Sequence, residues 1–181
     1  MVETTIPYYR SAYVFVTRAD RHIGIDTLLD PSLGTLRVGV QLIGNDGFNT
    51  PPAHALGEQG IVDNVVGFPV YGDYRQPSPA ARIVTAVESG RIDIAAAWGP
   101  LAGYFASISP VPLTVTPIAD TTRFAPLRFD YAISMGVRKG DHARRDTLNG
   151  IIAAHRSDIE ALLARYGVPL LPLPVTPAAA R

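Results

Sequence analysis

The sequence predicts an α/β fold, and three observations carry that prediction. Over residues 36–106, short apolar runs alternate with helix-like stretches, the order expected of right-handed βαβ units on a parallel sheet. The run "IDIAAAW" at 92–98 is almost wholly apolar, as in a central parallel strand covered on both faces. Thr-Pro at 50–51 and Ser-Pro at 78–79 mark helix starts, and Gly60 and Gly90 mark helix stops, since proline is tolerated in a first turn and glycine past a last one.

Along the chain, "SAYVFVTR" at 11–18 is rich in aromatic and β-branched residues and predicts a strand. A turn at Asp30, Pro31 and Gly34 precedes a second strand over 36–41, with Val38 and Val40 on one face. Thr50, able to accept a first-turn N–H, opens a helix to about Gln59. "VDNVVGFPVYG" reads as a strand, and "SPAARIVTAVESG" as a helix capped by Ser78, with Ile83, Val84 and Val87 as its apolar stripe. The 92–98 strand and a brief helix "PLAGYFA" follow.

"PLTVTPI" offers another strand, and "FDYAISMGVR" at 129–138 a further one whose length and aromatic content suit pairing with 11–18. A helix follows Asp141. Ser157, with Glu160 three residues on, reads as a capping box opening a final helix whose face carries Ile159, Leu162, Leu163 and Tyr166. Gly167 and Pro169 end it, and "LPLPVTPAAAR" reads as an extended or disordered tail.

Composition removes several classes of function. The 16 basic and 16 acidic residues balance, so no bulk charge favours nucleic acid or an anionic membrane. Without cysteine there is no thiol nucleophile, thiolate zinc site or disulfide, and the redox compartment stays open. No apolar run reaches the ~20 residues of a spanning helix, and the first residues lack the pattern of a signal peptide.

In an open α/β sheet, ligands collect beyond the carboxyl ends of the strands. Three loops should converge there: "LIGNDGFNT", "YGDYRQPS" and "WGP". The candidate ligand-binding residues are Asn45, Asp46, Asn49, Thr50, Tyr71, Asp73, Tyr74, Trp98 and Tyr104, with Arg75 and Ser78 nearby. The first loop could hold a phosphate, a metal ion or a small polar solute. A phosphate loop would need a Walker lysine or the spacing G-x-G-x-x-G, and a calcium loop its terminal glutamate; these are missing. Asn45 and Asp46 also suit a plain turn. Trp98 can equally cap the core or stack on a ligand.

His22, His54, His142 and His155 show no metal-ligand spacing, and neither G-x-S-x-G nor H-E-x-x-H occurs. Asp73 and Asp93 should lie far apart, beyond the end of one strand and at the start of another. No catalytic residues, metal site or cofactor are expected.

Five strings in order, "TTIPYYRSAYVFVTR", "LRVGVQLIGNDG", "ARIVTAVESGRIDIAAAWGPLAGYF", "YAISMGVRKGD" and "IEALLARYGV", resemble a type 2 periplasmic solute-binding protein. "VGVQLIGNDGFNTPPAHAL" and "VYGDYRQPSPAARIV" resemble more closely the quinoprotein dehydrogenase-associated branch, which includes the J-type accessory proteins of methanol dehydrogenase. The resemblance spans nearly all of 5–168. It implies one complete parallel-sheet α/β lobe, two crossing hinge strands near 11–17 and 131–138, and a partial second lobe. Residues 1–14 would be a remnant of lobe one and the first crossing strand. Residues 15–130 would be lobe two, 131–168 the second crossing strand and C-terminal helices of lobe one, and 169–181 the tail.

Such proteins normally begin with a segment this chain lacks, so Tyr8, Tyr9, Tyr13 and the apolar face of the last helix should want cover and invite self-association. Amino-acid-binding relatives usually place an aspartate where this chain has Trp98, and their carboxylate-binding arginine belongs to the absent segment. The resemblance therefore implies a non-enzymatic periplasmic component of a quinoprotein alcohol or methanol dehydrogenase system, contacting the dehydrogenase or its cytochrome. The alternative is a receptor delivering a small polar solute to an ABC permease. An enzyme on the same fold is the weakest reading, because no nucleophile, base and orienter fall at recognisable spacing.

Overall fold

A computed structural model describes residues 2–43, 49–70 and 78–173. The first strand, β1 (Val2–Thr4), is short, and β2 (Tyr9–Arg18) is the longest strand of the chain. Asp30 begins a 3-10 turn at Pro31–Gly34, its carboxylate accepting the Ser32 N–H at 2.8 Å. Then come β3 (Val38–Leu42), α1 (Pro51–Glu58), β4 (Val65–Pro69), α2 (Arg82–Glu88), β5 (Ile94–Trp98), α3 (Gly99–Ser107) and β6 (Leu113–Pro117). The chain closes with β7 (Asp130–Ile133), β8 (Gly136–Arg138), α4 (His142–Ala154) and α5 (Arg156–Arg165).

The large sheet has the order β4-β3-β5-β2-β6, with β7 also paired to β2. The α/β class holds, but the sheet is mixed rather than parallel throughout. β3 is parallel to β4 and β5, whereas β2 is antiparallel to β5, β6 and β7. The crossovers through α1 and α2 supply the parallel half. β2 lies beside β5 in the opposite sense, from Tyr13 opposite Trp98 to Thr17 opposite Ile94.

Alternation along each strand builds two cores. Tyr13, Phe15, Val38, Val40, Ile94 and Ala96 face α1 and the 23–36 segment, while Val14, Val16, Ala95 and Ala97 face α2 and α3. The apolar 92–98 run is thus explained by burial on both faces. On α2, Ile83, Val84 and Val87 are all buried, as their spacing predicts.

Three local expectations need correction. Thr50 stands at the start of α1 but makes no cap; its hydroxyl donates to the Gln41 carbonyl at 2.6 Å, a partner brought by the neighbouring strand end. Ser78 precedes a 3-10 turn (Pro79–Ala81) in left-handed geometry and likewise caps nothing. Ser157 opens no capping box, because α4 runs to Ala154 and α5 begins at Arg156, leaving only His155 between them. Ile152, 2% exposed, anchors α4 to its end, and Ser157 falls inside the next helix. The stretch 129–138 is likewise two strands, β7 and β8, serving different partners.

β2 spans the molecule. Tyr9–Ala12 pair with β7, and Tyr13–Arg18 pair with β5 and β6. Residues 169–173, read as the start of a loose tail, are held along β2. Ser11 Oγ donates to the Pro169 carbonyl at 2.6 Å, Leu171 N–H to the Arg10 carbonyl at 2.9 Å, and Arg10 to the Pro172 carbonyl at 3.3 Å. No helix among the described residues is long and apolar enough to cross a membrane.

Candidate functional site

The carboxyl ends of β3 and β5 lie side by side because the two strands are parallel neighbours. The residues that follow them, Asn49 and Thr50 after β3 and Trp98 at the end of β5, are therefore gathered at one edge of the sheet. Asn49 bridges back to Leu42 in an antiparallel contact, and Thr50 is 2% exposed.

Gln41 joins these pieces. It is 4% exposed in an otherwise apolar strand, where an unpaired amide would be costly. Its side-chain oxygen accepts the Trp98 backbone N–H at 2.8 Å, and its main-chain carbonyl accepts the Thr50 hydroxyl at 2.6 Å. One residue thus ties both strand ends together. The sequence signal was available as a lone polar residue in "VGVQL", but its role depends on a strand that follows more than fifty residues later.

The Trp98 ring is half-buried and packs edge-to-face on Tyr13 (ring centroids 5.5 Å apart) and on Tyr131 (5.7 Å). Tyr13 lies opposite Trp98 on β2, and Tyr131 opposite Ser11 on the paired β7. Tyr13 continues the stack to Phe129 at 6.3 Å. It is 8% exposed, so the expectation that Tyr13 lacks cover is corrected: the rings of Trp98 and Phe129 pack against it, and β5 pairs alongside. Burial pushes its phenol pKa up to about 12, with charge repulsion from Tyr131 a smaller cause. Tyr131 is 39% exposed, and its hydroxyl donates to the Arg128 carbonyl at 3.0 Å.

The other candidates divide. Tyr104 belongs to a separate group, its ring 5.1 Å from Phe105 and 5.9 Å from Tyr166 at the end of α5. Asn45, Asp46, Tyr71, Asp73, Tyr74 and Arg75 lie outside the described residues. Asp93, just before β5, is bound by Arg37 at 2.9 Å and Arg21 at 3.4 Å. The Arg37 hydrogen bonds hold its carboxyl below the usual range against the opposing effect of burial. No group of three or more His, Asp or Glu side chains among the described residues is placed to hold a metal ion.

Chemically, the described part of this edge offers an aromatic surface of Trp98 and Tyr131 beside small polar groups. It supplies no carboxylate at the end of β5, where Trp98 stands.

No protein-family model matches the chain. Protein MoxJ of Methylorubrum extorquens is 35% identical over 95% of this chain and 59% of its own length. The crystal structure of periplasmic binding protein XoxJ from Methylobacterium extorquens AM1 superposes with a TM-score of 0.77 at 30% identity, covering 96% of this chain and 74% of that one. MxaJ from Methlophaga aminisulfidivorans MPT gives 0.78 at 25% identity over 94% and 71%. An ancestral cationic amino acid solute-binding protein, at 18% identity and a TM-score of 0.65, shares the fold alone. The chain spans about three-fifths of the length of the curated relatives it matches.

Proposed function

The chain belongs to the family of periplasmic binding proteins that includes XoxJ, and from that membership we propose that it is a non-enzymatic, periplasmic accessory component of a quinoprotein methanol or alcohol dehydrogenase system. The observation that carries the reading is Trp98, locked between Tyr13 and Tyr131 at the strand end where an amino-acid receptor would present a carboxylate. An ammonium ligand finds no counter-charge at that position. A half-exposed indole beside a tyrosine instead offers the kind of surface that protein interfaces favour.

In this reading residues 15–130 form the complete lobe, and 1–14 with 131–168 form the crossing strands and a partial first lobe. β2 and β7, paired from Tyr9–Ile133 to Ala12–Asp130, support that division. The partner is the dehydrogenase or its cytochrome.

The test is direct binding of the full chain to a purified quinoprotein methanol dehydrogenase and, separately, to its cytochrome, by biolayer interferometry. A saturable complex weakened at least tenfold by Trp98→Ala is expected. Absence of binding to both proteins overturns the proposal.

The fold likeness to amino acid receptors keeps a second reading, a solute receptor for an ABC permease. It predicts a rise of several degrees in melting temperature with one amino acid or small organic acid, as mass action requires of any ligand well above its Kd.

A further inference from the structure

β2 changes partners between Ala12 and Tyr13. Tyr9–Ala12 pair with β7, and from Tyr13 onward the strand runs beside β5 and then β6 as well. Such a junction is where one end of the molecule could swing against the other, since hinge motions are absorbed by a few residues where elements end.

Alternation fixes which edge of β2 is open near the junction. The Tyr13 N–H donates to the Phe129 carbonyl at 2.8 Å, and its carbonyl accepts the Ile118 N–H at 3.3 Å. Tyr13 and Ser11 therefore turn their backbone groups to the β6–β7 side, and Ala12 and Arg10 turn theirs to the β5 side. β5 ends at Trp98, opposite Tyr13. The edge it vacates is taken by residues 169–172. Leu171 N–H donates to the Arg10 carbonyl at 2.9 Å, and Ser11 Oγ to the Pro169 carbonyl at 2.6 Å.

On the other side of the junction the same segment rests on α3. Gly99 and Gly103 stand one turn apart and leave a notch on that helix. A methyl group on Gly99 would meet the Ala12 carbonyl, Ser11 Oγ and the Pro169 ring; one on Gly103 would collide with the Gly167 carbonyl and crowd the Pro169 ring at 3.0 Å. α3 itself is fixed to the large sheet, with Ala102 fully buried in the core of Val14 and Val16.

Arg10 adds a further tie. Its guanidinium is 2.6 Å from Asp130 on β7 and donates to the Pro172 carbonyl at 3.3 Å. One side chain thus holds both the neighbouring strand and the segment laid along β2. A swing at the junction would have to break these bonds together and lift Pro169 from its seat on two glycines.

We propose that residues 167–172 are a lock on this junction, holding the end built of β8, α4 and α5 at a fixed angle to the large sheet. The chain then presents its Trp98 edge in one geometry and does not close around a ligand by hinge rotation. The lock concerns motion alone and stands whichever partner the chain binds.

The chain has no cysteine, so Thr85→Cys on α2 and Ala153→Cys on α4, both exposed positions, take one pair of nitroxide labels. Double electron–electron resonance on the full chain should give a single narrow distance distribution. Adding Ser11→Ala and Leu171→Pro removes a donor hydroxyl and a donor N–H, and should broaden the distribution about twofold or more while circular dichroism keeps its folded signal. Should that variant fail to fold, the unaltered chain decides, through its own distribution and through the Leu171 amide, which should exchange about a hundredfold or more slowly than an unprotected one. A broad or two-peaked distribution in the unaltered chain, an unprotected Leu171 amide, or a folded variant with an equally narrow distribution overturns the proposal.

Discussion

The side-chain oxygen of Gln41 accepts the backbone N–H of Trp98 at 2.8 Å. This bond joins the ends of two parallel strands and sets where the indole stands. Gln41→Leu keeps the volume and removes the acceptor, leaving a partly buried N–H without a partner. A loss of about 1–3 kcal/mol is expected, read by urea unfolding. At this chain length each kcal/mol lowers the melting temperature by roughly 2–4 °C. An unchanged midpoint would show that the bond does not hold the strand ends.

Gly103 on α3 and Gly167 after α5 meet backbone to backbone, and a methyl group on Gly103 would collide with the Gly167 carbonyl. Gly167 also has a φ of 70°, a region that costs an ordinary residue about 1–2 kcal/mol. Gly90, with a φ of 68° and open space around its Cβ position, isolates the conformational cost. Gly167→Ala should therefore destabilise more than Gly90→Ala. Gly103→Ala should speed amide exchange at Leu171 by unseating the strap along β2. Equal losses at 90 and 167 would mean that the close approach carries no weight.

Trp98 is the single tryptophan of the chain, so its emission reports on the site alone. Tyr131→Ala strips one edge-to-face neighbour, which removes about 0.5–1.5 kcal/mol beyond area burial and exposes the indole. A red shift in emission is the expected outcome. No shift would place Tyr131 outside the packing that fixes the ring.

Tyr13 makes stability fall in alkali. Its folded pKa of about 12 lies above the unfolded value near 10, and burial is the main cause. The neutral phenol is thus favoured by folding. The contribution is fully present below pH 10 and is lost as pH rises through 12, by about 2–3 kcal/mol in all. Tyr13→Phe should flatten the stability profile across that window, as measured by guanidinium unfolding at several pH values.

Asp93 acts at the other end of the scale. Arg37 holds its folded pKa below the ordinary aspartate value of 3.8, so its contribution is present above that pH and is lost as pH falls through the folded value. Asp93→Asn should make the stability curve shallower below pH 4. A profile identical to that of the unaltered chain would show that the carboxylate's charge is not what Arg37 holds.

The alternation of short apolar runs with Pro-started, Gly-stopped stretches located β3, α1, β4, α2, β5 and α3 within a few residues, because periodicity and punctuation are local properties. The failures were also local in form. Thr50, Ser78 and Ser157 carry good capping side chains, yet a hydroxyl bonds whatever acceptor the fold brings nearest, and for Thr50 that was Gln41 of the adjoining strand. The division of 129–138 into β7 and β8 was not legible, since nothing in that run announces that Ile133 pairs with Tyr9 while Gly136 pairs with Thr4.

The sequence by itself determined the α/β class, the positions of most elements and the identity of Trp98 at a strand end, for these follow from patterns within ten or fifteen residues. Only the tertiary structure decided that β2 enters the sheet antiparallel, that Tyr13 and Tyr131 clasp Trp98, and that Gln41 links the strand ends. Each of these joins residues far apart in the chain, and such contacts depend on the register and direction with which strands meet, which no local pattern encodes.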